Sequence, residues 1–414
     1  MALSIKEIRL GNESRVKLLL QDSIPVYWPC LYLLKKMRVR SPNTQQRFLS
    51  DLLVFFAWLK AERIDLEARL QQRPKPKYLT ESELARFSSK AHWTKETLEK
   101  MNSNTRLHPA AYRQVGALQA ESRMVAAKNY LSFLYEALGH PEDRLDQIAF
   151  IRKRIDLSIK ESSPAWKRRP LEAKGLTPEQ EEVLLNKLHP ESEVNPWPKT
   201  EIIRVRNYLI IMLLYNLGIR RSEMLGIKLS DIDFRTNRIQ IIHRPNDPDD
   251  RRVLEPLVKT NERSLPVREE LMAVINQYIN MRRGVKRAKS HPYLILAHGK
   301  SEGTPFSIKS VDAVFNNAKK AFPVLKCVTP HTLRHHDVYQ TSKTVAEQTK
   351  GLPIEDRVQM ERRVLIYKYG WSENSLMPNR YGQKQYQEQA EKAMLARNAK
   401  LLNDGSSRDK EDGR

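Results

Sequence analysis

The chain has 414 residues, 40% of them hydrophobic and 29% charged, enough for two or three domains that bury their own cores without a disulfide or metal staple. Its 72 Lys+Arg against 49 Asp+Glu leave a net charge of +23. A surplus of that size works against compaction and asks for a polyanionic partner, nucleic acid first.

Cys30 and Cys327 lie far apart and outside any C-x-x-C pattern, which argues against a disulfide framework or a cysteine zinc site. No apolar core of a signal peptide opens the chain, and the longest apolar run, within 208–217, falls short of the ~20 residues of a membrane span. A reducing, cytoplasmic setting with no membrane partner is expected.

In chain order, residues 1–40 are expected as an N-terminal extension, with a short strand over Ser4–Leu10 and a segment Pro25–Lys36 that docks against the helices after it. Ser41-Pro42 supplies an N-cap and a first-turn proline, after which Phe48, Leu52, Phe55, Phe56 and Leu59 recur at helical spacing. Thr80-Glu81-Ser82-Glu83 is a capping box ahead of Leu84 and Phe87. A third helix carries Met124, Ala127, Leu131, Leu134 and Leu138, and Gly139 stands at its C-terminus. Residues 41–160 therefore read as a compact all-helical domain. Residues 161–175, with Pro164, Pro170 and the run Lys167-Arg168-Arg169, read as a basic linker.

A second domain is expected over 176–403. Thr177-Pro178-Glu179-Gln180 is another capping box, and a strongly apolar helix, Glu201–Leu217, stops at Gly218. Arg238–His243 reads as a strand. Val253–Lys259 and Arg263–Val267 read as a hairpin about Thr260, Asn261 and Glu262, with Pro256 demoting its strand to an edge. Helices are expected over Arg268–Met281, Ser307–Ala321, from Thr329 onward and over Gln383–Leu402, and 404–414 as a disordered tail. The fold class is mainly α with a small antiparallel sheet: a helical domain followed by an α+β domain. No phosphate-binding glycine loop appears, so ATP use is not suggested.

Four segments carry chemistry. In Thr329-Pro330-His331-Thr332-Leu333-Arg334-His335, a capped helix start places His331 in the first turn and Arg334 on the same face, a phosphate site in miniature. A merely basic surface helix gives the same pattern. A metal site on His331, His335 and His336 has no carboxylate or cysteine to complete it. In Gly218-Ile219-Arg220-Arg221-Ser222-Glu223, Arg220 leaves the buried helix and Glu223 is spaced to hold it, as an ordered anion contact or as a plain structural pair. Lys259 stands at a turn, where a lysine is ordinarily just solvated. Trp371 can donate an N–H to a phosphate or sit in the core. Tyr381, between a loop and a polar helix, has the exposure a nucleophile needs.

In order, G-I-R-R-S-E, the turn lysine, H-T-L-R-H, G-W and R-Y resemble the catalytic signature of the tyrosine recombinase (phage integrase) family over about residues 176–400. The resemblance implies a core-binding domain followed by a catalytic domain. It implies that Arg220 and Arg334 clamp the scissile phosphate, Lys259 is the general acid, His331 assists proton transfer and Trp371 fills the position that is His or Trp in the family. Tyr381 would attack to give a 3′-phosphotyrosine, with Glu223 and His335 in support. It further implies duplex DNA as substrate, neither cofactor nor metal, a homo-tetramer assembled on DNA through the C-terminal helix, and accessory DNA-bending or directionality proteins. Two departures stand out. The stretch between His335 and Trp371 is long, consistent with an extra helix or loop. The Trp371–Tyr381 gap also exceeds the family's spacing by one residue, so Tyr386, Tyr369 and Tyr367 compete for the nucleophile's place. A type IB topoisomerase, or a non-catalytic accessory protein on the same scaffold, would share much of this pattern.

Overall fold

In the computed structural model the described residues are 3–9, 15–94, 96–98, 113–162, 175–245, 247–250, 252, 256, 258 and 260–378, with 391, 394–395 and 397–398 near the C-terminus. The chain divides into two compact units, Met1–Pro170 and Leu171–Arg414.

The first unit opens with strands β1 (Leu3–Arg9), β2 (Arg15–Gln21) and β3 (Ile24–Pro25), antiparallel in the order β1-β2-β3. After them come helices α1 (Tyr27–Lys36), α2 (Pro42–Ala61), α3 (Leu66–Gln71), α4 (Glu81–Lys90), α5 (Ala117–Leu138) and α6 (Arg144–Ser162). Residues 1–40 are more than an appendage: Leu19, Cys30 and Leu33 belong to the same core as Leu52, Phe55 and Leu131. The Ser41 cap and the Thr80/Glu83 capping box form as the sequence implies. Gly139 ends α5 with a negative φ of −67°. Its glycine serves space rather than φ, since a Cβ there would lie 2.5 Å from the Tyr135 carbonyl oxygen. The expected linker start is corrected. The period of Ile148, Ile151 and Ile155 carries α6 through Ser162, and residues 163–174 lie outside the described set.

The second unit contains α7 (Pro178–Glu182, extended by one π-turn, Val183–Lys187), α8 (Glu201–Leu217), α9 (Arg221–Gly226), β4 (Ile232–Asp233), β5 (Arg238–Ile241), β6 (Arg263–Pro266), α10 (Glu269–Arg283), α11 (Ile308–Ala321), α12 (Pro330–Gln348) and α13 (Ile354–Tyr369). Helix α8 is apolar around most of its circumference because it runs through the core, packed by α10 and α12. The strand expected over 263–267 is β6, but its ladder runs to β5, pairing Ile239 with Leu265 so that both face the core. Of 253–259 only Pro256 and Val258 are described, and neither lies in a strand. The long stretch before Trp371 holds α13, the extra helix anticipated there. The expected helix over Gln383–Leu402 lies almost entirely outside the described residues. No described helix is long and apolar enough to cross a membrane.

Candidate active site

Helix α8 stops at Gly218, whose φ of +56° favours glycine and whose added Cβ would collide with the Asp337 carboxylate. The chain then turns into α9 with Arg220 at the N-cap. Its backbone N–H donates to Glu223 Oε2 and its guanidinium Nη1 to Oε1, both at 3.0 Å. Glu223 is fully buried and also accepts from the Thr260 hydroxyl (2.7 Å) and from Arg263 Nη2 (2.7 Å), while Arg334 Nη1 lies 3.9 Å from Oε2. Burial pushes its carboxyl up. The charges of Arg263 and Arg334 and the Arg220 N–H outweigh that and hold it below the ordinary carboxylate range.

Three guanidiniums around one carboxylate leave two positive charges in excess. The Arg220 side chain remains 33% exposed, so part of that excess faces solvent. A cationic cluster of this kind, fixed from beneath, suits the oxygens of a phosphodiester and the charge that develops on phosphorus during its transfer.

Arg263 joins this cluster to the end of α13. Its Nε donates to the Lys368 carbonyl (2.7 Å), and the neighbouring Asn261 donates its N–H to the Gly370 carbonyl (2.9 Å) and its Nδ2 to the Trp371 carbonyl (3.3 Å). Gly370, at φ +63°, is required there because a Cβ would press on Asn261 and Arg263. Neither Arg263 nor Asn261 stands out in the sequence. A charged residue at the start of a four-residue strand reads as solvated, and only the long-range fold buries it.

On the facing helix, Thr329 caps α12 and Pro330 occupies its first position. His331 is exposed in the first turn, and its ring meets His335 edge-on at 4.5 Å. Arg334 is 1% exposed. Its Nη1 donates to the Gly218 carbonyl (2.6 Å) and its Nη2 to the Tyr369 carbonyl (3.3 Å), with the guanidinium over the Tyr369 and Trp371 rings at 4.8 and 5.6 Å. Trp371 takes the core alternative: it is buried in a cluster with Val338, Leu365 and Tyr369. His336 is engaged by the Leu176 N–H and by Glu181, apart from the other two histidines.

The structure therefore brings Arg220, Glu223, Arg334 and Trp371 together, with His331 and His335 on the helix that carries Arg334. Lys259, Tyr381 and Tyr386 lie outside the described residues. Tyr369 is eliminated as a nucleophile. Its hydroxyl is buried and donates to Asp337 Oδ2 (2.6 Å), and burial together with the Asp337 charge drives its pKa well above the ordinary value. Tyr367 is exposed, with its hydroxyl donating to the Ser264 carbonyl (3.3 Å).

Residues 174–346 match the family described as the phage integrase family. Among curated proteins, tyrosine recombinase XerC of Staphylococcus epidermidis is 30% identical over 131 residues, covering 32% of this chain and 38% of the relative. XerD of Halalkalibacterium halodurans is 28% identical over 172 residues, 41% of this chain and 48% of the relative. The Tn916 transposase of Enterococcus faecalis is 28% identical over 167 residues, 39% of each. The chain thus spans less than half the length of these relatives. Among solved structures, the Tn1549 transposon integrase in complex with a circular intermediate DNA aligns at TM-score 0.47 and 16% identity, over 85% of this chain and 94% of that one.

Proposed function

We propose that this chain, whose residues 174–346 match the phage integrase family, is a tyrosine recombinase that cuts and rejoins duplex DNA at specific sites through a 3′-phosphotyrosine on Tyr381. The observation that carries this reading is the buried Glu223 carboxylate with Arg220, Arg263 and Arg334 around it.

A tyrosine hydroxyl, with an ordinary pKa near ~10, attacks phosphorus only when its proton is drawn off and the developing charge is met. Two excess positive charges at one buried anchor supply that field. In the reaction, the Tyr381 oxygen bonds to phosphorus and the P–O5′ bond breaks. The leaving 5′-oxygen takes its proton from Lys259, and His331, assisting proton transfer, accepts the proton that Tyr381 gives up. The phosphodiester energy is conserved in the protein–DNA ester, so the 5′-hydroxyl of an exchanged strand re-forms the backbone in the reverse step without a nucleotide. Arg220 and Arg334 contact the phosphate and Glu223 holds them in place. A tetramer on DNA belongs to this reading, because two duplexes with two cleavage sites each need four nucleophiles.

The test is a nicked duplex bearing a site that the protein binds specifically, incubated with the protein and resolved on a denaturing gel. The expected result is a covalent adduct mapped by mass spectrometry to Tyr381 and lost in Tyr381→Phe. An adduct on Tyr386 would overturn the assignment of the nucleophile. Tight binding without any adduct would overturn the enzymatic reading in favour of an accessory DNA-binding protein.

A further inference from the structure

Tyr369, though excluded as a nucleophile, touches Arg334 twice. Its carbonyl accepts from the guanidinium Nη2 (3.3 Å), and its ring lies under the guanidinium at 4.8 Å. A third contact runs back to the helix that carries Arg334. The Tyr369 hydroxyl donates to Asp337 Oδ2 (2.6 Å), and Asp337 stands three residues after Arg334 on α12, on the same face. The circuit from Arg334 through Tyr369 to Asp337 is thus closed across the end of α13 and one turn of α12.

A buried tyrosine is ordinarily kept for its ring, and its hydroxyl then takes whatever acceptor is near. Here the acceptor does not need it for charge balance: Lys368 Nζ donates to Asp337 Oδ1 (2.8 Å). What the hydroxyl adds is a fixed tilt of the ring. The same carboxylate also rests against Gly218, whose carbonyl takes Arg334 Nη1 (2.6 Å). Both residues whose carbonyls hold the guanidinium are therefore set against Asp337. A guanidinium meets phosphate oxygens as a planar fork, so its tilt decides how well it serves.

We infer that Tyr369 is a positioning residue for Arg334: its hydroxyl, anchored on Asp337, fixes the ring and the carbonyl that orient the guanidinium. The inference rests on the proposed function in one respect, that Arg334 contacts the scissile phosphate.

The experiment is a double-mutant cycle on the full chain. Single-turnover adduct formation on the nicked duplex is measured for the wild type, Tyr369→Phe, Arg334→Lys and the double variant, with the Kd for the same duplex alongside. Tyr369→Phe keeps the ring and the Lys368–Asp337 pair, so its fold is retained. It should form the adduct about tenfold more slowly, the effect of a loosened alignment, with Kd within about twofold of the wild type. Arg334→Lys should slow the reaction by about a hundredfold. In that background Tyr369→Phe should add less than about twofold, because no planar fork remains to be aimed. No slowing by Tyr369→Phe, equal slowing in both backgrounds, or a loss of DNA affinity in step with the rate would mark a tyrosine that only fills the core and would overturn the assignment. An adduct rate unaffected by Arg334→Lys would instead overturn the phosphate contact on which the inference rests.

Discussion

A carboxylate shut away from water beside three guanidiniums stays ionised only while those guanidiniums stay in place, and they in turn are tolerated in the interior only because it is ionised. Glu223 thus has a folded-state pKa below its unfolded one. Its stabilisation is complete above the unfolded value and is lost as pH falls through the lower, folded value. Glu223→Gln removes the charge but keeps the shape, leaving the buried Arg263 and Arg334 uncompensated. A loss of about 3–5 kcal/mol at neutral pH is expected. Melting curves from pH 7 to pH 3 check both consequences: the wild type should lose stability through the acid range, and the variant should start lower and fall less. Parallel acid limbs would show that an ionised Glu223 is not what holds the cluster.

At the level of elements, the turn that ends α8 is the most constrained point. Gly218→Ala must place a side chain at a φ of +56° and displace the Asp337 carboxylate, which also receives the Lys368 ammonium and the Tyr369 hydroxyl. Backbone strain alone costs about 1–2 kcal/mol, so a total above about 2 kcal/mol is expected from the denaturant midpoint. Gly351→Ala, where no neighbour lies within 4 Å, should stay within about 0.5 kcal/mol. Signals of this local kind were legible in the sequence: the Thr80, Thr177 and Thr329 caps, the Gly218 stop, and the i to i+3 pairing of Arg220 with Glu223 all arise from neighbours along the chain. Burial of Arg263, the pairing of β6 with β5 and the packing of Trp371 depend on residues far away in sequence. Strand β2 was missed because its pattern R-V-K-L-L-L-Q is buried on both faces and does not alternate.

For the molecule as a whole, the net +23 makes a prediction independent of any active-site detail. If the surplus meets DNA phosphates, log Kd should rise linearly with log salt, by about 0.9 per phosphate neutralised, and a slope of about 5 or more is expected. A slope below about 2 would place the surplus charge away from the DNA.

The chain returns to the buried carboxylate of Glu223 on separate occasions, at Arg220, at Thr260 and Arg263, and at Arg334, and the surrounding wall closes only with Tyr369 and Trp371. In the time order of synthesis, the anchor emerges first and its last neighbours more than a hundred residues later. No unfinished chain holds the assembled cluster, so whatever that cluster does is withheld until synthesis has passed Trp371.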